Sequence, residues 1–384
     1  MTRRAQTEYI EAVRKRYAAA SKGGKGRILD ELCEATGRHR KAAIRSLTRP
    51  SRPAPSRRGR PAVYGAEVRA ALVEIWQASG YLCGKLLVAV MPVYVAALAR
   101  QPGSTLRTDL RTPLQRLSAA TIDRLLQPAR RRRGRQPRAH SPALSAIAAQ
   151  IPVRTWGEWH AVRPGALQGD LVLHCGESAG GFFLVTLVAV DVATGWTELE
   201  PVWGLGHRRV GSAVHYIRER LPMSLQAWHS DNGAHFINAT LLTWCRREGV
   251  SFTRGRAYRK NDQAYVEQRN WLAVRRVVGY DRYSSRAALA ALHEVYRLLR
   301  VQLNFLRPLR KLVAKRRVGA SLYKQYDRPL TPYQRLCAAG VLTPERRKSL
   351  DAQVAAIDPI ALARALDGAL DALWKTAERR GSVR

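Results

Sequence analysis

The chain has 384 residues, and its 66 lysines and arginines against 29 aspartates and glutamates give a formal net charge of +37 at pH 7. Solubility does not require so large an excess, so the charge predicts a polyanionic partner, with nucleic acid first and a membrane surface second. The 5 cysteines are widely spaced without a CxxC pair, no run of about 18 apolar residues occurs and no secretory signal is evident, so we expect a cytoplasmic protein without disulfides, structural zinc or a membrane span.

Residues 1–50 are predicted to form a helix-turn-helix unit. A basic amphipathic helix is expected to break at Gly23-Gly24, and two further helices, over Ile28 to Ala35 and over Arg38 to Leu47, flank a turn at Gly37. The functional interpretation is major-groove contact, and the alternative is an ordinary basic helical hairpin. The outer-face residues expected to contact DNA are Arg38, Arg40, Lys41 and Arg45.

Residues 51–61 are predicted to be a basic linker, because their repeated prolines prevent a helix or a central strand. The linker either places arginines in a narrow minor groove or is a solvated tether. Its candidate DNA contacts are Arg57, Arg58 and Arg60.

Residues 62–128 are predicted to form a second helical DNA-binding unit. Val68 to Gln77 is amphipathic, Cys83 to Ala99 is a core helix despite Pro92, and Ser118 begins a helix that resembles a recognition helix. Two linked DNA-reading units would give specificity for a bipartite site.

Residues 129–150 are predicted to be a second basic linker that lies along the phosphate backbone. Its candidate contacts are Arg131, Arg132 and Arg133.

Residues 151–285 have the pattern of an α/β core. Strands are predicted at Gly169 to Leu173, Gly181 to Val190, Trp196 to Val202 and Leu225 to His229, and a helix resumes near Asn238.

Three acidic residues of this region stand out. Asp170 lies on the first predicted strand, Asp231 follows the last, and Glu267 lies on a helix that Asp262 can cap. The three carboxylates can converge, and carboxylates without thiol or paired histidine ligands suit Mg²⁺ or Mn²⁺. Two such ions can activate the attacking oxygen and stabilise the leaving oxygen of a phosphoryl transfer. Basic residues expected to hold DNA nearby are Arg256, Arg259 and Lys260.

The order Asp…Asp…Glu, with SDNG at the second acid and KNDQAYVEQRNW at the third, resembles the catalytic domain of the retroviral-integrase superfamily, and most closely the integrase-type transposases of bacterial insertion sequences. The resemblance covers roughly residues 154–285. It implies a ribonuclease-H-like α/β core, in which a mixed sheet is flanked by helices. It also implies that Asp170, Asp231 and Glu267 are the catalytic and metal-binding triad for two Mg²⁺ or Mn²⁺ ions, without a small-molecule cofactor. His235 departs from the family pattern, because many relatives carry Glu there.

Four residues are expected to support the triad. His174 either touches metal-bound water or DNA or packs behind the site. Asn232 and Gly233 are expected to shape the loop of Asp231, with the glycine allowing a close backbone turn. Gln263, one helical turn before Glu267, either supports that residue or reaches DNA.

Residues 286–384 are predicted to be a helical and basic C-terminal region. Ala287 to Phe305 is an amphipathic helix that packs on the core, and Leu342 to Lys375 is helical with an apolar face for packing or self-association. The basic, tyrosine-containing segment Arg307 to Arg335 is predicted to be an extended DNA-binding tail, with a disordered basic tail as the alternative.

These features together predict a DNA transposase that binds element ends as a homo-oligomer and catalyses metal-dependent cleavage and strand transfer by a 3′-hydroxyl. One alternative is a sequence-specific DNA-binding protein with a catalytically idle integrase-like fold. Another is a ribonuclease-H-like nuclease that cuts DNA without joining it.

Overall fold

The computed structural model describes residues 3–49, 64–102, 106, 108–131, 162–231, 233, 235–236, 238–256, 263–318 and 321–378. The chain separates into two compact units, Met1–Val63 and Tyr64–Arg384. No helix within the described residues is long and apolar enough to cross a membrane. The residues singled out above that lie outside the described part are Arg57, Arg58, Arg60, Arg132, Arg133, Asn232, Arg259, Lys260 and Asp262.

The first unit contains the helices α1 (Arg3–Ala19), α2 (Lys22–Thr36) and α3 (Arg40–Thr48). The prediction that Gly23-Gly24 breaks the first helix is wrong. Both glycines lie in the first turn of α2, because the Ser21 side chain caps that helix by accepting the Gly24 N–H at 3.4 Å. Gly37 makes the predicted turn with φ of 66°, a left-handed conformation that favours glycine. The small apolar core of this unit consists of Ile10, Val13, Ile28, Leu29, Leu32, Ala43 and Leu47.

The second unit begins with five helices, namely α4 (Ala66–Ala78), α5 (Gly84–Arg100), α6 (Thr108–Gln115), α7 (Ala119–Leu125) and α8 (Gln127–Arg131). Pro92 lies within α5 without ending it. Ser118 caps α7 as predicted, since its hydroxyl accepts the Thr121 N–H at 3.2 Å. The amphipathic prediction for α4 is also confirmed, because Leu72 and Ile75 are completely buried.

A five-stranded mixed sheet forms the centre of the second unit. Its strands are β1 (Ala166–Leu173), β2 (Val185–Asp191), β3 (Thr197–Val202), β4 (Ala227–Ser230) and β5 (Ser251–Arg254). Their order is β3-β2-β1-β4-β5, with antiparallel pairing among the first three and parallel pairing of β4 to β1 and of β5 to β4.

The predicted strands are present with shifted ends. Strand β2 begins at Val185 and not at Gly181, because the Arg282 side chain takes the carbonyls of Gly180 and Phe182 away from strand pairing. Strand β5 was not predicted, since its four residues lack an apolar alternation and precede a basic run.

Within the described residues, eight α-helices follow the first strands of the sheet. They are α9 (His207–Arg220), α10 (Ala239–Arg247), α11 (Ala264–Arg269), α12 (Arg276–Val278), α13 (Arg286–Val301), α14 (Pro332–Ala338), α15 (Pro344–Ala356) and α16 (Pro359–Trp374). One apolar core joins a face of the sheet to α9, α10, α14 and α15, and another joins the opposite face to α11, α13 and α16. The predicted mixed sheet flanked by helices is therefore confirmed, as is the packing of α13 on the core.

The segment predicted as a basic tail instead forms an antiparallel hairpin of β6 (Leu312–Val318) and β7 (Ser321–Tyr326). The apolar face of α16 serves packing within the chain, since Leu366, Leu370 and Leu373 are buried in the core that contains α13. Ile360 of the same helix belongs to the core of α4 to α7.

The side chain of Trp228 on β4 comes very close to the backbone of β1 at Gly169. A Cβ atom built on this glycine would lie 2.2 Å from Cζ2 of Trp228, whose indole is fully buried. Only a residue without a side chain fits this position.

We expect Gly169→Ala to lower the free energy of unfolding by about 2 kcal/mol or more, because β1 and Trp228 must separate. Urea unfolding of the full chain measures the change. Gly368→Ala is the matched control: Gly368 lies inside α16 with no atom within 4 Å of its built Cβ, so alanine should raise stability by about 0.5–1 kcal/mol. Equal midpoints for the two variants would contradict the close approach of β1 and Trp228.

Candidate active site

Asp170 lies in the middle of the central strand β1. Its carboxylate accepts the backbone N–H of Leu171 on Oδ1 at 2.8 Å and the Asn270 amide on Oδ2 at 2.5 Å. The side chain is half-buried. The Asp170 carboxylate is thus held in place by its own strand and by the helical segment that contains Asn270.

Asp231 directly follows β4. Because β1 and β4 are parallel with Gly169 opposite Ser230, the two aspartates come one residue after paired positions on neighbouring strands. Such strands are about 4.8 Å apart. The Gly233 N–H donates to Oδ1 of Asp231 at 2.9 Å, so Gly233 orients this carboxylate.

Burial and mutual repulsion act on the two aspartates. The pKa of Asp170 is raised from 3.8 to about 7, first by desolvation and next by the charge of Asp231. The pKa of Asp231 is also raised by desolvation, while its hydrogen bond with Gly233 opposes the shift. The pair is therefore held at an electrostatic cost.

Glu267 lies in the first turn of α11, and its side chain is exposed. The helix is fixed to β1, since the N–H of Val266 donates to Oε1 of the buried Gln168 at 3.3 Å. The charge of Glu267 is near enough to raise the pKa of Asp170 further, though less than Asp231 does. The described part of the chain nevertheless contains no group of three or more His, Cys, Asp or Glu side chains placed to hold a metal ion.

Asn270 is a part of this site that the sequence did not assign to it. It begins a π-helical segment, Asn270–Arg275, and π-helical turns are frequent at functional sites. Its amide nitrogen donates to Asp170, while its Oδ1 is buried without a hydrogen-bond partner. The sequence feature that could have identified Asn270 is its position three residues after Glu267, on the same helical face.

The donor chemistry fits a hard divalent cation. Two adjacent carboxylates with raised pKa and the unpartnered carbonyl oxygen of Asn270 are all oxygen ligands of the kind that Mg²⁺ and Mn²⁺ prefer. Asp170 and Asp231 are therefore the residues that could hold such an ion.

His174 is completely buried behind β1 and does not face solvent. Its Nε2 hydrogen-bonds with the Thr186 hydroxyl at 2.7 Å, and that hydroxyl bonds with Tyr296 at 2.7 Å. Burial and the nearby Arg275 lower the pKa of His174 to about 3, so the ring is neutral at ordinary pH. Gln263, also buried, precedes α11 with its Nε2 unpartnered.

Asp191 has a structural role at the end of β2. Its buried carboxylate accepts the N–H of Gly165 at 2.8 Å and both the N–H and the hydroxyl of Thr194, at 2.8 and 2.6 Å. These bonds hold the turn between β2 and β3.

Not every basic residue near Glu267 is available for DNA. Arg269 is buried and donates to the carbonyl of Gly195 at 3.2 Å, and Arg275 donates to the carbonyl of Leu173 at 2.8 Å. Arg256 and Arg131 are exposed.

The candidate DNA-contacting residues of the first unit also differ in how accessible they are. Lys41 and Arg45 are exposed, and Arg40 is exposed but paired with Asp30. Arg38 is half-buried and donates to the Ser46 hydroxyl at 2.9 Å. Lys41 and Arg45 thus remain the more accessible cations of this group.

No family model matches the chain. Over 333 residues it is 44% identical to a protein of Sinorhizobium fredii (strain NBRC 101917 / NGR234) described as uncharacterized protein y4rM, with 86% of this chain and 94% of that protein covered. The crystal structure of the catalytic core domain of BIV integrase is similar over 46% of this chain and 95% of that chain, with 19% identity and a TM-score of 0.30.

The raised pKa of Asp170 predicts a distinctive stability profile. In a chelating buffer the folded protein keeps a proton that the unfolded chain releases between about pH 4 and pH 7, so the contribution of this group to stability falls as pH rises through that window. Asp170→Asn cannot ionise, and a flip of the Asn270 amide keeps both hydrogen bonds possible. We expect the free energy of unfolding of this variant to exceed that of wild type by about 1–3 kcal/mol at pH 8 and to equal it near pH 4.

Urea unfolding at several pH values measures this effect. Asp327→Asn is the control, because desolvation of its carboxyl is outweighed by hydrogen bonding and by pairing with Arg335 at 2.7 Å, which lower its pKa, and this substitution should lower stability by about 1–3 kcal/mol. If Asp170→Asn is less stable than wild type at pH 8, the carboxylate stabilises the fold and the electrostatic interpretation is wrong.

Proposed function

We propose that this chain, which belongs to the same family as the Sinorhizobium fredii protein y4rM, is a DNA transposase of the integrase type. It would bind the ends of a mobile element, cleave DNA and join the freed 3′-hydroxyl to target DNA by direct transesterification. The strand order β3-β2-β1-β4-β5 supports the ribonuclease-H-like core that the sequence motifs imply.

The Asp170–Asp231 pair carries the proposal. Two adjacent carboxylates that repel each other are held on neighbouring parallel strands of a protein whose net charge is +37. Strongly shifted carboxyl groups in such a setting favour a functional site over a structural one. The positive surround suits a polyanionic substrate, and the negative centre suits the cations that phosphoryl transfer on that substrate requires.

Two Mg²⁺ or Mn²⁺ ions, when held by Asp170, Asp231 and Glu267, would supply activation of the attacking oxygen and charge stabilisation of the leaving 3′-oxygen. The chain itself supplies orientation. Asn270 fixes one oxygen of Asp170, and Gly233 fixes one oxygen of Asp231. Such pre-set geometry lowers the cost of reaching the transition state.

DNA binding in this proposal comes from the basic helical regions before the core. Exposed cations on α3, such as Lys41 and Arg45, would contact one DNA segment, and the helices α4 to α8 would contact a second. Because two element ends must meet before joining, the active species would be a homo-oligomer on DNA.

Strand transfer with a labelled element-end duplex and Mg²⁺ or Mn²⁺ tests the proposal. We expect wild type to give joined products and Glu267→Gln to reduce their rate by at least about 100-fold, since one carboxylate ligand is lost. Glu345→Gln is the matched control, because Glu345 lies in the first turn of α15 on an exposed surface, and it should retain the wild-type rate.

The other outcomes separate the alternatives. Nicked products without joined products would identify a ribonuclease-H-like nuclease. Tight binding of the ends without nicking, equal for wild type and Glu267→Gln, would identify a DNA-binding protein with an idle catalytic fold.

A further inference from the structure

The β6–β7 hairpin is solvent-exposed on both faces. Every residue from Val313 to Val318 and from Ser321 to Tyr326 is exposed, and the large side chains of Val313 and Tyr323 are 63% and 59% exposed. A two-stranded hairpin on its own is marginally stable in water. Its exposed apolar and aromatic side chains therefore indicate a surface that acquires a partner.

The root of this hairpin is firmly fixed to the core. The N–H of Lys311 donates to Oδ1 of Asp327 at 2.7 Å, and the N–H of Asp327 donates to the carbonyl of Lys311 at 3.0 Å. Arg335 pairs with Asp327 at 2.7 Å, and the Lys311 ammonium donates to the carbonyl of Val192 at 2.8 Å. The two ends of the hairpin are thus held in place by the core, which reduces the entropy lost when the hairpin binds a partner.

The charge of the hairpin identifies the partner as an anion. Residues 312–326 include four cations and no acidic residue. Lys315 lies directly opposite Lys324, so two like charges share one face of the ribbon, an arrangement that destabilises a strand pair. Arg317, two residues from Lys315, lies on that same face. Binding of a polyanion would remove this repulsion, whereas a second copy of the hairpin would add to it.

We propose that the β6–β7 hairpin enters the major groove of duplex DNA, with Lys315, Arg317 and Lys324 directed at the phosphates that border the groove. The major groove, about 12 Å wide, admits a two-stranded ribbon. The inference rests on the proposed function for the choice of DNA as the polyanion, and it assigns to the C-terminal region a DNA contact separate from the helical units.

The test is the salt dependence of duplex DNA binding by the full chain in a chelating buffer, in which no cleavage occurs. The hairpin variant is Lys315→Gln with Lys324→Gln. Lys348→Gln with Lys375→Gln is the matched control, which removes two exposed lysines from α15 and the end of α16. Loss of two phosphate contacts should reduce the slope of log K against log salt by about 1.8 in the hairpin variant, and the control should leave it unchanged.

Thermal unfolding tests whether the hairpin variant keeps its stability, and binding to duplex RNA tests whether the effect depends on the major groove of DNA. The hairpin variant should be at least as stable as wild type, because it removes like charges that face each other. Duplex RNA should show a smaller slope change than DNA, because its major groove is too narrow for a ribbon.

Three results would overturn the inference. The first is an equal slope for the hairpin variant and the control. The second is the same slope change on duplex RNA as on duplex DNA. The third is a hairpin variant whose oligomeric mass without DNA differs from that of wild type while its salt slope is unchanged. That result would mean that the hairpin binds a second copy of the chain. Strand transfer does not enter this test, so the proposed function stands or fails separately, on joined products and Glu267→Gln.

Discussion

The contact of the Trp228 indole with the backbone of Gly169 is the constraint on which the centre of the molecule depends. Gly169 leaves room for this buried indole where the parallel strands β1 and β4 pair. One residue after the paired positions Gly169 and Ser230 come the carboxylates of Asp170, within β1, and Asp231, just after β4. The pairing of β1 with β4 that accommodates this apolar contact therefore also places the two carboxylates side by side.

The surrounding polar contacts keep that arrangement from relaxing. Asn270 and Gly233 donate hydrogen bonds to the two carboxylates, and Gln168 fixes the start of α11 to β1. These bonds favour the charged forms, whereas burial opposes them, and the raised pKa of Asp170 shows that burial and repulsion prevail. A cation between the carboxylates would reverse this balance.

The sequence alone predicted the parts of the fold that follow from local pattern. The apolar runs located β2 and β3, and Gly37 located a helix–helix turn. Features that depend on contacts distant in sequence were missed. Strand β5 has no pattern of its own and exists by pairing with β4, and the hairpin at 312–326 reads as a tail because its exposed strands lack a buried face. The sequence motifs identified the three acidic residues of the candidate site. They did not predict that Arg269 is buried, because this depends on a hydrogen bond to the carbonyl of Gly195 in the turn between β2 and β3.

The position of α16 has a consequence for the order of folding. This helix contributes to two cores at once, with Ile360 among the helices α4 to α7 and Leu366 and Leu370 in the core that contains α13. Both cores are made mostly of residues that leave the ribosome well before α16 does. Until α16 emerges, each presents apolar surface to the cell, so the nascent second unit depends on chaperones or on rapid completion of synthesis. The first unit has a core of its own and can fold while the remainder is still being made.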